Sequence, residues 1–192
     1  MSVVGMGWTL FNAAFILVVS FTPDALVSAG YDYAAAQSVT SLFMWVTVNT
    51  VPLGGRLLQS SGHIAPAIAV SLLLASATVM ATAFGVAPVA MLILLGVFAG
   101  IPAGALMSLS AEAVSPENRG PGLGIFFTWY FAGMTVVPVV AGWLRDWTGS
   151  AKAPVLFSAL LMASVVLCVG LLRVLQANWP IRNQANPLGR SG

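Results

Sequence analysis

The sequence predicts an all-α, polytopic membrane protein: six transmembrane helices built as two inverted three-helix repeats. Three observations predict it. Apolar residues make up 59% of the 192 and charged residues only 6%, whereas a soluble domain carries about 25% charged residues. Six apolar runs are each long enough to cross a bilayer. One Gly-bounded stretch occurs twice, as Gly55-Arg-Leu-Leu-Gln-Ser-Ser-Gly62 and as Gly142-Trp-Leu-Arg-Asp-Trp-Thr-Gly149, 87 residues apart. A turn that recurs at a fixed offset between apolar runs marks a duplicated unit.

The charge content narrows the function classes. Seven basic and five acidic residues cannot cover a water-facing surface, so the lipid bilayer is the expected solvent. A net charge of +2, scattered along the chain, is too small to hold nucleic acid. The single Cys168 excludes an internal disulfide and a cysteine metal cluster, and it reads as a packing residue. His63 reads as a loop residue. No Ser–His–Asp set, carboxylate pair or phosphate-cradling loop stands in a suitable context, and Gly120-Pro-Gly-Leu-Gly124 begins a helix instead. An enzyme is therefore not expected, nor a metal or cofactor. No Lys or Arg precedes Arg56, so the first run lacks the positive flank of a signal peptide and is expected to stay as a span.

A hydrocarbon layer of ~30 Å needs ~20 apolar residues in a helix rising ~1.5 Å per residue. The qualifying runs are 4–22, 35–54, 64–84, 88–111, 122–143 and 153–174. Thr22-Pro23-Asp24 and Ala29-Gly30-Tyr31-Asp32 bound the first loop, and Gly54 to His63 forms the second. Gly85-Val86-Ala87-Pro88 makes a tight third, Ser115 to Gly122 the fourth, and Arg145 to Lys152 the fifth. Residues 176–192 form a polar tail. Basic residues concentrate on the cytoplasmic side of membrane proteins. Arg56, Arg119, Arg173, Arg182 and Arg190 fall on one side and Arg145 and Lys152 on the other. Both termini and the tail are thus expected in the cytoplasm, with the chain in the cytoplasmic (inner) membrane. Trp8, Tyr31, Tyr33, Trp143, Trp147 and Trp179 fall near span ends, where amphipathic rings prefer the interface.

The offset of 87 carries the first three spans onto the last three, giving repeats of about 4–84 and 88–174 within a six-helix unit of 1–175. Three spans are an odd number, so the second copy must enter the membrane from the opposite face. Inverted repeats of this kind are a sign of secondary transporters, whose binding site lies near the midplane between the copies.

Three stretches carry a family resemblance. Pro52-Leu-Gly-Gly-Arg-Leu-Leu-Gln-Ser-Ser-Gly62-His63, Ser115-Pro-Glu-Asn-Arg-Gly-Pro-Gly-Leu-Gly124 and Gly142 to Gly149 resemble the loops after the second, fourth and fifth helices in a half of a major facilitator superfamily transporter. Phe21 to Gly30, followed by Ala34-Ala-Ala-Gln37, is similar to the first loop of the same half. The resemblance covers roughly residues 5–175 and points to the C-terminal six-helix half. Gln59 stands where the family signature has Asp, Ser60 where it has Arg, and His63 where it has a basic residue. Such decay is common in C-terminal halves, and it weakens the charge interactions that lock the cytoplasmic face. The resemblance implies transmembrane transport of a small-molecule solute, a small organic molecule or anion, by alternating access and driven by a cation gradient. It also implies twelve helices around one path. The six here are expected to be a fragment, a truncated product, or a half that pairs with a second six-helix half, either a separate chain or a homodimer copy. The rival expectation is a non-transporting half that serves as a membrane interaction module.

Residues with chemistry follow from the same logic. An unsatisfied amide or hydroxyl in lipid is costly, so Asn12, Thr47, Asn49 and Thr128 are expected to face the interior. Asn12, Trp45, Asn49, Trp129 and Tyr130 are the expected path-lining set. Gly55, Arg56, Gln59, Gly62, Glu112 and Arg119 form the expected cytoplasmic gate, with Glu112 pairing Arg119 or Arg56. Gly96, Gly100 and Gly104 clear one face of the fourth span for close approach of another backbone. Pro102 lacks an N–H and permits a kink there, so these four are the expected hinge. Asp146 is expected to cap the last helix or to sit beside Arg145 and Lys152.

In a Cys168→Ser background, a cysteine at Arg119 should react with an impermeant maleimide only from the cytoplasmic side, and one at Lys152 only from the opposite side. The reverse pattern overturns the orientation.

Overall fold

The computed structural model describes the backbone of residues 2–61, 64–112 and 119–178, and the side chains of 2–56, 64–106 and 120–175. Six helices follow one another: α1 (Ser2–Ser28), α2 (Tyr33–Ser61), α3 (Ile64–Ala83), α4 (Pro88–Glu112), α5 (Arg119–Thr148) and α6 (Lys152–Asn178). Among the described residues there is no strand.

The helices outrun the apolar runs that announce them. α1 continues through Pro23 to Ser28, α2 through Pro52 and Gly54-Gly55 to Ser61, and α5 through Arg145 to Thr148. α6 takes in the first three residues of the expected tail. A proline costs one backbone bond and a glycine little more than entropy. In hydrocarbon every other backbone group still gains by staying helical. Sharper stops come from caps. Gly30 (φ 99°) and Gly85 (φ 76°) adopt the left-handed conformation that glycine tolerates best. Their amides bond Val27 O and Thr82 O, while the following Tyr31 and Val86 amides reach back to Leu26 O and Ala81 O. This pattern satisfies the last carbonyls of α1 and α3. Asp32 caps α2, its Oδ2 accepting from the amides of Ala34 at 3.0 Å and Ala35 at 3.4 Å. At the head of α6 Ser150, not Asp146, does this: the Lys152 amide donates to Ser150 Oγ at 3.3 Å.

Five helices among the described residues, α1, α3, α4, α5 and α6, are long and apolar enough to cross a membrane. α2 falls short because it carries Gln37, Ser38, Thr40, Ser41, Thr47, Asn49 and Thr50. Most of these donors are satisfied inside the helix, as where Thr40 Oγ1 donates to Ala36 O at 2.9 Å and Asn49 Nδ2 to Trp45 O at 2.8 Å. Outward-facing side chains are apolar: Leu73, Met80, Leu160, Leu167, Leu171 and Val174 are all exposed. A patch of this kind is a contact surface for hydrocarbon, not for water.

The most extensive helix pairings are α2 with α4, α1 with α6, α3 with α4, α3 with α6 and α1 with α5. Exchanging α1–α3 for α4–α6 maps this set onto itself. The α2–α4 pair runs parallel. A Cβ on Gly96 would lie 2.7 Å from Val46 Cβ, one on Gly100 would collide with the Thr50 hydroxyl and lie 3.1 Å from Thr47 O, and one on Gly104 would lie 3.2 Å from Val51 O. Gly54 answers from α2, since a Cβ there would collide with the Ile101 backbone. The Thr50 hydroxyl lies 3.0 Å from Gly96 O, within bonding distance across the interface. α1 and α5 make the counterpart: a Cβ on Gly133 would collide with the Thr9 side chain. The offset of 87 relates Gly133 to Val46 and Gly96 to Thr9, so the same helix crossing occurs twice with the small and large partners swapped. α3 and α6 cross behind these pairs, tied by Ser76 Oγ donating to Ala159 O at 2.8 Å.

Gly100→Leu should lower the thermal midpoint of the detergent-purified chain by a loss on the order of 1–3 kcal/mol, the usual cost of overpacking. Gly142→Ala, with nothing within 4 Å of its added Cβ, should leave the midpoint unchanged. Equal midpoints for the two variants would remove the tight α2–α4 contact.

Candidate functional site: the cavity between α1, α2 and α4

Trp8, Phe11, Asn12 and Phe15 fall at helical spacing on one face of α1. Together with Thr47 and Val51 of α2 and Ala103 and Gly104 of α4, they line a cavity of about 430 Å³. The cavity sits alongside the middle of the three helices. α4 contributes the small residues Ala103 and Gly104 to it, which leaves room beside α2. Its wall is aromatic. Phe15 meets Phe43 of α2 with ring centroids 4.7 Å apart. Trp8 packs on Phe11 at 6.2 Å and stacks on Phe126 of α5 at 6.4 Å. Phe43 is wholly buried and Phe11 nearly so, which fixes the rings on either side of Asn12.

Among the described residues the hydrogen-bonding side chains that line it are Trp8, Asn12 and Thr47. Asn12 Nδ2 donates to Trp8 O at 2.8 Å, and Thr47 Oγ1 donates to Phe43 O at 2.7 Å. Both use a helix carbonyl four residues back, so neither depends on another helix. Among the described residues no Asp, Glu, Lys, Arg or His lines the cavity, and no cluster could hold a metal ion.

Of the expected path set, only Asn12 lies in this cavity. Trp45 and Asn49 stand on the outward face of α2, with Trp45 71% exposed. Trp45 borders a separate shallow groove of about 320 Å³ with Ser41, Met44 and Val48. Trp129 and Tyr130 stand on α5. Trp129 packs its inner edge on Gly5, and Tyr130 meets Phe131 edge-on at 5.3 Å. Thr128 is exposed on the same helix, donating to Gly124 O at 2.8 Å. Trp8, grouped by the sequence with the interface aromatics, is a cavity wall instead. The spacing 8, 11, 12, 15 is the signal that could have found it, because those positions share a helix face.

The glycine set is where close packing was expected, and its mate is α2. Pro102 is buried within α4. Gly55 sits opposite Gly104, and Arg56 is exposed on the last described turn of α2 side chains. Gly62 lies outside the described residues, as do the side chains of Gln59, Glu112 and Arg119. At the other end Arg145 of α5 pairs with Asp24 of α1 at 2.6 Å, a contact the sequence alone did not reveal. Both partners are over a third exposed, so it contributes at most about 1 kcal/mol. Beside it Trp143 and Trp147 stack at 5.6 Å with planes 3° apart, both exposed.

The family model described as the Major Facilitator Superfamily matches residues 1–189. The chain belongs to the major facilitator superfamily. No curated protein and no solved structure matches it. The membership makes this a multi-pass membrane protein of a transporter family, and it makes the cavity of this facilitator the natural place to look for a solute.

Phe43→Ala should destabilise the fold by about 3–5 kcal/mol, as removal of a buried ring does. Asn12→Leu gives up only a local bond and should shift stability by less than about 1 kcal/mol. A thermal scan of both variants checks this, and a large loss at Asn12 would mean that its amide holds the fold together.

Proposed function

We propose that this chain moves a small solute across the cytoplasmic membrane by alternating access, as one six-helix half of a major facilitator carrier, the C-terminal one. The family match over nearly the whole chain carries the reading. The geometry supports it in two ways. First, α5 is an apolar span that is almost entirely unburied, and α2 exposes Trp45, Val48 and Asn49 on its outward face. These two helices want a partner that α3 and α6 do not need. Second, interior prolines occur in α1, α2, α4 and α5, at Pro23, Pro52, Pro102 and Pro138, and not in α3 or α6. We infer that α1, α2, α4 and α5 face the path and α3 and α6 support them, in two three-helix repeats related by inversion.

On this reading six further helices complete the carrier, from a second chain or a second copy of this one. Asn12 faces the path now, and Trp45, Asn49, Trp129 and Tyr130 face it once the other half is in place. Gly55, Arg56, Gln59, Gly62, Glu112 and Arg119 form the cytoplasmic gate, with both termini on that side. The α2–α4 glycine contact, with Pro102, is where the half can adjust as it rocks. Transport requires only that solute and coupling ion bind the two states of the carrier with different affinity.

Single cysteines at Asn49 and Trp129 should cross-link in native membranes to one partner of six spans, and one at Leu160, exposed on α6, should not. Co-reconstitution with that partner should give concentrative uptake that the chain lacks when its partner half is absent. Equal cross-linking at all three positions, with no uptake in any combination, would leave a membrane interaction module as the better reading.

A further inference from the structure

We propose that the cavity between α1, α2 and α4 selects an organic ammonium: a cation with N–H donors on an aromatic or aliphatic body. The inference rests on the carrier reading for its biological use and on the cavity wall for its chemistry. Trp8, Phe11 and Phe15 supply the lining rings. An aromatic face carries negative potential and attracts cations, indole most strongly.

The hydrogen-bond inventory supplies acceptors for such a cation. A backbone carbonyl only accepts, so the atom of Asn12 that meets Trp8 O must be the amide nitrogen. That fixes Oδ1 on the other branch, where it is an unspent acceptor. The Thr47 hydroxyl has given its one proton to Phe43 O and can offer only lone pairs. Two N–H donors remain, the second amide N–H of Asn12 and the indole N–H of Trp8, set against the lone pairs of two side-chain oxygens. The cavity therefore offers acceptor lone pairs beside neutral donors, and among the described residues no cationic side chain lines it.

A carboxylate or phosphate placed there would meet ring faces and two neutral N–H donors, with no positive side chain among the described lining residues to offset its lost hydration. A primary or secondary ammonium finds complementary groups there: N–H bonds to Asn12 Oδ1 and Thr47 Oγ1, and its charge over the Trp8 ring. A volume of about 430 Å³ suits one ring with a short side arm. This narrows the expectation of an organic molecule or anion to a cation.

The test is calorimetric titration of the full chain in nanodiscs with 2-phenylethylammonium and with 3-phenylpropanoate, which share a body and differ in charge. The ammonium should bind about ten-fold more tightly or better, in keeping with one desolvated cation–aromatic contact plus charge-assisted bonds. Trp8→Leu should weaken the ammonium several-fold and leave the carboxylate unaffected. Asn12→Lys should invert the preference. Asn12→Leu, which keeps the apolar shape, should reduce the ratio if the lysine variant does not fold. Equal affinity for the two ligands, or a ratio unmoved by both Trp8→Leu and Asn12→Leu, overturns the proposal. An ammonium preference with no uptake in any reconstitution upholds this inference and defeats the carrier reading alone. Uptake of carboxylates in preference to ammonium ions defeats this inference alone.

Discussion

The structure depends on how closely two backbones can approach in a solvent that does not push them together. Lipid tails are as apolar as leucine, so helices in a bilayer associate through van der Waals packing and polar contacts between helices. α4 meets that requirement with Gly96, Gly100 and Gly104, and α2 fits Val46, Thr50 and Val51 against them. The Thr50 hydroxyl, 3.0 Å from Gly96 O, is within bonding reach only because no side chain intervenes. The second crossing, Thr9 on Gly133, achieves the same approach with the glycine on the other partner. A duplicated architecture preserves the crossing, whereas which helix contributes the small residue is free to change.

Two kinds of helix result. α3 and α6 have no interior proline and cross through a buried serine–carbonyl bond. α1, α2, α4 and α5 each contain a proline that leaves one backbone carbonyl without its usual donor. Those four border the cavity or the exposed face beside it. The rigid pair thus anchors the helices whose ladders are already interrupted, and such interruptions are where a transmembrane helix most readily bends.

The site takes its chemistry from economy rather than charge. Asn12 and Thr47 each donate to a carbonyl of their own helix, which is the cheapest way to hold an amide or hydroxyl in a greasy environment. The consequence is that Asn12 Oδ1 and the Thr47 lone pairs stay available as acceptors, beside one Asn12 amide N–H and the Trp8 indole N–H. The ion pair between Asp24 and Arg145 stands at the helix ends, where it ties α1 to α5 near the stacked Trp143 and Trp147.

Much of the fold was legible in the sequence because the bilayer imposes a length and a polarity on every span. Composition, six apolar runs, the glycine triplet and the offset of 87 residues depend on local residue types alone. Helix ends were less legible. Pro23, Pro52 and Gly54-Gly55 look like stops to a rule learned in water, yet the chain has more to gain by remaining helical. The site was legible only in part. Asn12 stands out because an amide in an apolar run is rare, but Phe11 and Phe15 look like any other apolar residues, and Trp8 like an interface ring. Which face of α1 turns toward α2 and α4 is decided by the fit of side chains between helices distant in sequence. By itself, then, the sequence determined the solvent, the number of helices and their order, since these follow from the hydropathy of each stretch. Only the tertiary structure decided which glycine meets which helix and which rings enclose the cavity, because those depend on the rotation of each helix about its own axis.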